Sequence, residues 1–228
     1  MRSLSRRSLE EEQMDDPALS PEEYQAVLAD LGRVNRWTFA TRPTLGFLAR
    51  ATRGSKAFSL LDVGFGDGGM LRAVAAWAKK QRIEARLVGV DLNPKSEAAA
   101  RAATPAGLAI EWRTGDYADL GAFDFVVSSL VAHHMTAAQL AAFLRWMEQH
   151  AARGWLVNDL HRHRFAYAGY PLLARLLGVH RIVREDGRLS IARAYRPAEW
   201  RTILAEAGIT EARIVRRFPF RLCVERLH

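Results

Sequence analysis

The chain of 228 residues has a single cysteine, Cys223. One thiol excludes a disulfide framework within the chain and fits a reducing compartment. No apolar run approaches the roughly 20 residues that a membrane-spanning helix requires. Residues 1–13 are rich in arginine and serine but lack the apolar middle of a secretory signal, and Glu10, Glu11 and Glu12 argue against a transit peptide. The expected location is cytoplasmic. Internal repeats and low-complexity tracts are absent. Lysine is scarce: Lys56, Lys79, Lys80 and Lys95 are the only four among 33 basic residues, so arginine carries the positive charge. That charge is uneven. Residues 1–160 hold 19 basic and 19 acidic residues, whereas 161–228 hold 14 and 6, which is the whole net charge of +8. The excess reads either as a compositional bias toward arginine or as a cationic surface beside a substrate entrance. The second reading suits an anionic substrate, carrier or lipid headgroup.

What is present alternates. About half of the residues are apolar, enough for one well-filled α/β domain with additions. Strands are expected at 57–63, 86–91, 109–113, 123–128 and 154–160. Helices are expected at 69–80, from Pro94, and at 136–149. Repeated βα units imply a parallel sheet with helices on both faces and a ligand at the carboxyl ends of the strands. Residues 161–195 break this rhythm as an insertion with an apolar helix at 171–178, placed where a substrate lid belongs. A helix follows at 196–208, with Pro197 at its start and Gly208 at its stop. Residues 211–218 and 220–226 then alternate as two strands around Pro219 and end the sheet in an antiparallel hairpin. Before the first strand, Ser20-Pro21-Glu22-Glu23 is a strong helix start. Tyr24, Val27, Leu28, Leu31, Val34 and Trp37 continue that helix, and 43–51 form another. Residues 1–56 are therefore read as a mobile arm (1–16) and a helical cap over the mouth of a site. Asn35, Arg36 and Thr38 are either ligand contacts or ordinary surface residues.

The chain is organised around Ser59-Leu-Leu-Asp-Val-Gly-Phe-Gly-Asp-Gly-Gly69. A strand ending in Asp62 empties into Gly64, Gly66, Gly68 and Gly69, and a helix follows. Glycines admit positive φ and close backbone approach, and the helix start offers unpaired N–H groups. Gly64-x-Gly66-x-x-Gly69 satisfies the dinucleotide fingerprint, and Asp62-x-Gly64-x-Gly66-x-Gly68 equally satisfies an S-adenosylmethionine motif. Asp91, at the end of the second strand, can accept both ribose hydroxyls of either cofactor. Asp116 after the third strand is placed to accept from an adenine amino group, and Tyr117 to flank the ring.

These residues, with Leu92, Phe123-Asp-Phe-Val-Val-Ser-Ser129 and the closing hairpin, make residues 57–228 resemble the class I S-adenosylmethionine-dependent methyltransferases. The resemblance implies a Rossmann-like seven-stranded sheet with its last strand antiparallel. It also implies S-adenosylmethionine as cofactor: Asp62, Gly64, Gly66 and Gly68 at its methionine part, Asp91 at the ribose and Asp116 at the adenine, with Leu92 and Tyr117 also among the cofactor-binding residues. Met14-Asp-Asp-Pro17 and the helix after it are similar to bacterial small-molecule methyltransferases of phenol, quinone and polyketide pathways.

Val131-Ala-His133-His134-Met135 follows the fourth strand, where the methyl acceptor lies in this fold. In phenol O-methyltransferases a His of this loop takes the hydroxyl proton, and His133 matches that position while the residues after it depart from the family's His-Asp-Trp. Imidazole, with a pKa near ~6.5, suits the role. His133 and His134 are thus the candidate catalytic residues, with His161 and His163 as alternatives. Asp159 and the four histidines could gather a metal, but Arg162 and Arg164 beside them disfavour a cation, and no metal is expected. The expected substrate is a small, fairly apolar molecule, anionic or lipid-like in character, methylated on a phenolic, enolic or quinol oxygen. C- or N-methylation, an RNA substrate held by the basic C-terminal third, and a non-catalytic cofactor-binding protein are the rivals. No RNA-binding module is appended, and no DNA partner or membrane span is expected.

Overall fold

A computed structural model describes residues 4–228, so the first three residues of the expected arm lie outside the described residues. The seven strands are β1 (Ala57–Val63), β2 (Glu84–Asp91), β3 (Ile110–Thr114), β4 (Phe123–Ser129), β5 (Ala151–Leu160), β6 (Arg213–Arg217) and β7 (Arg221–Leu227). They form one sheet in the order β3-β2-β1-β4-β5-β7-β6. β1 to β5 pair in parallel, and β7 runs antiparallel to both of its neighbours. The strand order reverses between β1 and β4, the place where open α/β sheets bind ligands.

Both faces of the sheet are covered, which is why its central strands are almost continuously apolar rather than alternating. Leu61, Val126 and Trp155 pack on one side against α5 (Ala137–His150) and α8 (Pro197–Ala207). Leu60, Phe125 and Leu156 face the other side, against α2 (Arg42–Ala51) and α3 (Gly69–Gln81). α4 (Pro94–Ala103) completes that layer and starts where Asn93 accepts the Lys95 N–H, as its Asn-Pro start predicts. α1 (Pro21–Trp37) is capped by Ser20, whose hydroxyl accepts the Glu23 N–H.

Three segments differ from expectation. The lid helix is α6 (Arg164–Leu176), with Pro171 inside it rather than at its start. An interior proline costs a helix about 3 kcal/mol. Here the burial of Tyr167 and Ala174, and the His163 cap on the Phe165 N–H, hold the preceding turns together. A second lid helix, α7 (Arg181–Arg193), buries a face on which Asp186 and Ser190 interrupt Ile182, Val183 and Ile191, and it contains Gly187. That glycine exists for packing: a Cβ there would lie 2.1 Å from the Tyr170 hydroxyl, which donates to the Val183 carbonyl at 2.6 Å.

The arm is the third. Residues 4–16 are packed down instead of mobile. The Leu4 carbonyl accepts from Arg162 Nε and Arg196 Nη2 at 3.2 and 2.7 Å. The Ser8 N–H donates to the Ala192 carbonyl at 3.0 Å. The buried Asp186 carboxylate accepts the N–H groups of Gln13 and Met14 at 3.1 and 2.9 Å, fixing a short 3-10 turn at Gln13–Asp15. Polar anchors to α7 and buried arginines leave no hydrophobic period in the arm, so the sequence concealed them.

Candidate active site

The turn after β1 carries positive φ at Gly64, Gly66 and Gly68, of 75°, 55° and 75°. Two of these positions also tolerate nothing larger. A Cβ on Gly64 would stand 2.3 Å from the Val131 side chain, and one on Gly68 2.4 Å from the Trp112 ring. The turn is tied to the next strand by Asp91, whose carboxylate accepts the N–H of Gly66 and of Asn93, each at 2.9 Å. Burial raises the Asp91 pKa against the pull of those two donors. Asp62 is buried beneath the turn with Oδ1 unpartnered. Burial, with the charges of Asp91 and Asp67, pushes its pKa up to about 8.

Above this turn lies a cavity of about 640 Å³, within the range of small-molecule sites. Gly64, Gly66, Asp91, Leu92, Tyr117, His133 and His134 all line it, as do Asn35 and Thr38 of the cap. Asp62 and Gly68 stand behind its wall rather than in it. Asp116 is exposed, and its carboxylate accepts the Ala118 N–H at 2.9 Å, capping a short turn outside the cavity. Of the adenine-side pair only Tyr117 faces in, packed against Phe143 and Trp146.

The two histidines sit on the loop after β4, in a 3-10 turn at Ala132–His134. Asp159, at the end of β5, holds His133 twice: Oδ2 accepts its backbone N–H at 2.8 Å, and Oδ1 lies 2.7 Å from Nδ1. Burial works to raise the Asp159 pKa, but the charge and hydrogen bonds of His133 and the Leu160 N–H outweigh it and hold the carboxyl low. A proton on His133 Nδ1 is thereby favoured, which leaves a lone pair on Nε2. Nε2 points to the arm, 3.6 Å from Oε1 of Glu12. Glu12 is buried, its Oε1 makes no hydrogen bond, and Arg193 Nε is 3.7 Å away. Burial drives the Glu12 pKa up to about 7, against the charge of His134, a hydrogen bond from Ser190 and the charge of Arg193. His134 is bound on its outer side by Asp15, with Nδ1 and Oδ2 at 2.9 Å.

His161 and His163 do not line the cavity. His161 is buried, and burial together with Arg216, His163 and other cations pushes its pKa down to about 4. His163 caps α6. Their loop position qualified them in the sequence; the path of β5 takes them away. Glu12 carries no sequence signal, because it belongs to a run of three acids with no spacing to mark it. Asp15 was visible only within the Met14–Pro17 likeness. Glu12, His133 and His134 offer ligand atoms within 4.8 Å of one another, a donor set that suits a divalent cation. Among basic residues of the C-terminal third, Arg162, Arg193 and Arg221 are buried, so the positive excess is partly internal rather than a surface.

Residues 60–154 match the sequence model of a methyltransferase domain. No curated protein matches the chain in sequence. Among solved structures, magnesium protoporphyrin IX methyltransferase from Synechocystis PCC 6803 with bound SAH is similar at 18% identity and a TM-score of 0.56, over 93% of this chain and 90% of that one. A SAM-dependent methyltransferase from Aquifex aeolicus is similar at 16% identity and 0.60, over 91% and 97%. Human N-acetylserotonin methyltransferase in complex with SAM reaches 0.63 at 14% identity, with 91% of this chain covering 56% of that one. The strand order, the glycine turn at its switch point and these neighbours give one conclusion: the chain has the fold of the class I S-adenosylmethionine-dependent methyltransferases, and its residues 60–154 match a methyltransferase-domain model.

Proposed function

We propose that this chain transfers the methyl group of S-adenosylmethionine to a phenolic, enolic or quinol oxygen of a small, fairly apolar acceptor. The observation that carries the reading is the Asp159–His133 pair, buried at the wall of the same cavity that the glycine turn lines. The chain's own residues fit the cofactor. The turn leaves no room for side chains at Gly64 and Gly68, Asp62 Oδ1 is an orphaned buried acceptor beneath it, and Asp91 stands at the end of β2. Bound there, S-adenosylmethionine supplies an electrophilic methyl on a sulfonium. Gly64 and Gly66 would carry its methionine part, Asp91 and Leu92 its ribose, and Tyr117 would flank its adenine. Asp116 caps Ala118 with Oδ1, so at the adenine amino group it would accept with its other oxygen.

On the acceptor side, Asp159 orients His133 so that its free Nε2 can take the hydroxyl proton as the oxygen attacks. Glu12, neutral or charged near neutral pH, adjusts the charge beside that nitrogen. Tyr170, Leu173, Ile182 and Val183 wall the cavity with apolar surface and exclude water, so that alignment of oxygen and methyl supplies much of the acceleration. Methyl transfer from labelled S-adenosylmethionine to a panel of phenols and quinols, with bulk RNA in parallel, tests the reading. Transfer to RNA alone would replace it with the nucleic-acid alternative.

A second reading is favoured by one observation. The Nε2 atoms of His133 and His134 face the Glu12 carboxylate with carboxylates behind both Nδ1 atoms, as metal-bound imidazoles are commonly held. A divalent cation there would lower the pKa of the acceptor hydroxyl in place of a base. Activity lost on chelation and restored by one cation would favour it, whereas full activity after chelation leaves His133 as the base.

A further inference from the structure

Arg221 opens β7, paired with Leu160 at the end of β5, and lines the same cavity. It is only 2% exposed. Its Nη2 donates to Thr38 Oγ1 at 3.3 Å, while Nε and Nη1 are buried without any acceptor. Orphaned N–H groups on a buried guanidinium are costly, because the charge has left water and gained little in return. No carboxylate pairs with it among the described residues. Asp159, whose charge acts on it, has its oxygens on His133 and on the Leu160 N–H. Burial draws the Arg221 pKa down to about 10, which still leaves the side chain charged at neutral pH.

We infer that Arg221 is an anion anchor of the acceptor site, and that the methyl acceptor carries a carboxylate on an otherwise apolar body. The planar fork of a guanidinium matches the two oxygens of a carboxylate. Among the described residues that line the cavity, Arg221 is the only arginine or lysine, so one fixed positive charge, set among Leu160, Phe165 and Ile191, orients an anionic ligand. Place decides which carboxylate this is. β7 stands three strand spacings from β1, about 14 Å across the sheet, on the His133 and Asp159 side of the cavity rather than over the glycine turn. The inference rests on the acceptor reading for its meaning, and its test is independent of turnover.

The test compares binding of carboxylates with that of their neutral amides: formate, benzoate and naphthalene-2-carboxylate against formamide, benzamide and naphthalene-2-carboxamide. The full-length chain is followed by thermal melting and calorimetry, with S-adenosylhomocysteine binding measured in parallel. In the unmodified chain, at least one acid should bind about tenfold tighter than its amide, as a charge-assisted pair does. Arg221→Met should erase that preference, and Arg221→Lys should keep only part of it. S-adenosylhomocysteine affinity should stay within about twofold in both variants. Equal binding of acid and amide across all three pairs overturns the inference, and this arm needs no variant to fold. Acid preference that survives in Arg221→Met overturns it too. Collapse of S-adenosylhomocysteine binding in a folded Arg221→Met would hand the guanidinium to the methionine carboxylate of the cofactor instead. An acid preference without methyl transfer to any acceptor keeps the anchor and sinks the reaction assigned above.

Discussion

The two halves of the cavity are built in different ways. On the cofactor side, the turn at Gly64–Gly69 follows β1 directly, and Asp91 closes β2 beside it. Each element there is a strand end, and the parallel sheet aligns strand ends by construction. On the proposed acceptor side, Glu12 comes from the arm, His133 from the loop after β4, Asp159 from β5, Arg193 from α7 and Arg221 from β7. These residues share no local pattern: the sheet sets His133, Asp159 and Arg221 near one another, and Glu12 reaches them because α7 and buried arginines hold the arm down. A short motif therefore suffices to build the glycine-turn half, while the other half depends on contacts drawn from the whole length of the chain.

The sharpest way to break that contrast is to remove the proposed base. His133→Ala should lower kcat by about 10²–10⁴ and leave S-adenosylhomocysteine binding, measured by calorimetry, unchanged. A matching loss of cofactor affinity would show that the two halves are not separable. The reverse experiment is Gly64→Val, which forces a β-branched residue into positive φ against Val131. Cofactor affinity should fall by about two orders of magnitude, from the several kcal/mol that strain and overpacking cost, while the fold by circular dichroism stays intact. Asp159→Asn should cost less than loss of the imidazole but still about 10–100-fold in kcat, because the oriented tautomer of His133 is no longer enforced.

Smaller effects probe the lid and the arm. Gly187→Ala should destabilise the chain by about 1–3 kcal/mol through the clash with Tyr170, read as a lower urea midpoint. Glu12→Gln tests the arm by pH. The folded carboxyl titrates near 7, above its ordinary value, so the folded chain holds that proton more tightly than the unfolded chain. Stability should accordingly fall as pH rises from the ordinary carboxylate range through about 7. The Gln variant should lose that part of the slope and keep the part due to Asp62, which titrates near 8 with the same sign. A pH profile identical to that of the unmodified chain would mean that Glu12 is solvated, and the arm loose.

Most of the fold was legible, for reasons that particular residues make plain. Every expected strand is present within a few residues, since runs such as Phe58–Val63 and Phe123–Ser128 fit only a strand buried on both faces. Within 161–195 the reading weakened. Pro171 looked like a helix start, yet tertiary burial carried the helix through it, and α7 has charges where an apolar stripe would have announced it.

By itself the sequence determined the sheet, its antiparallel last strand and the side on which a cofactor would bind, because these follow from apolar periodicity and from glycines that only one backbone shape can use. Only the tertiary structure decided which histidine faces a cavity, that a glutamate from the arm lies 3.6 Å from it, and that Arg221 is buried without an acceptor. Those are facts about burial and about contacts between residues more than a hundred positions apart, and no local pattern records them.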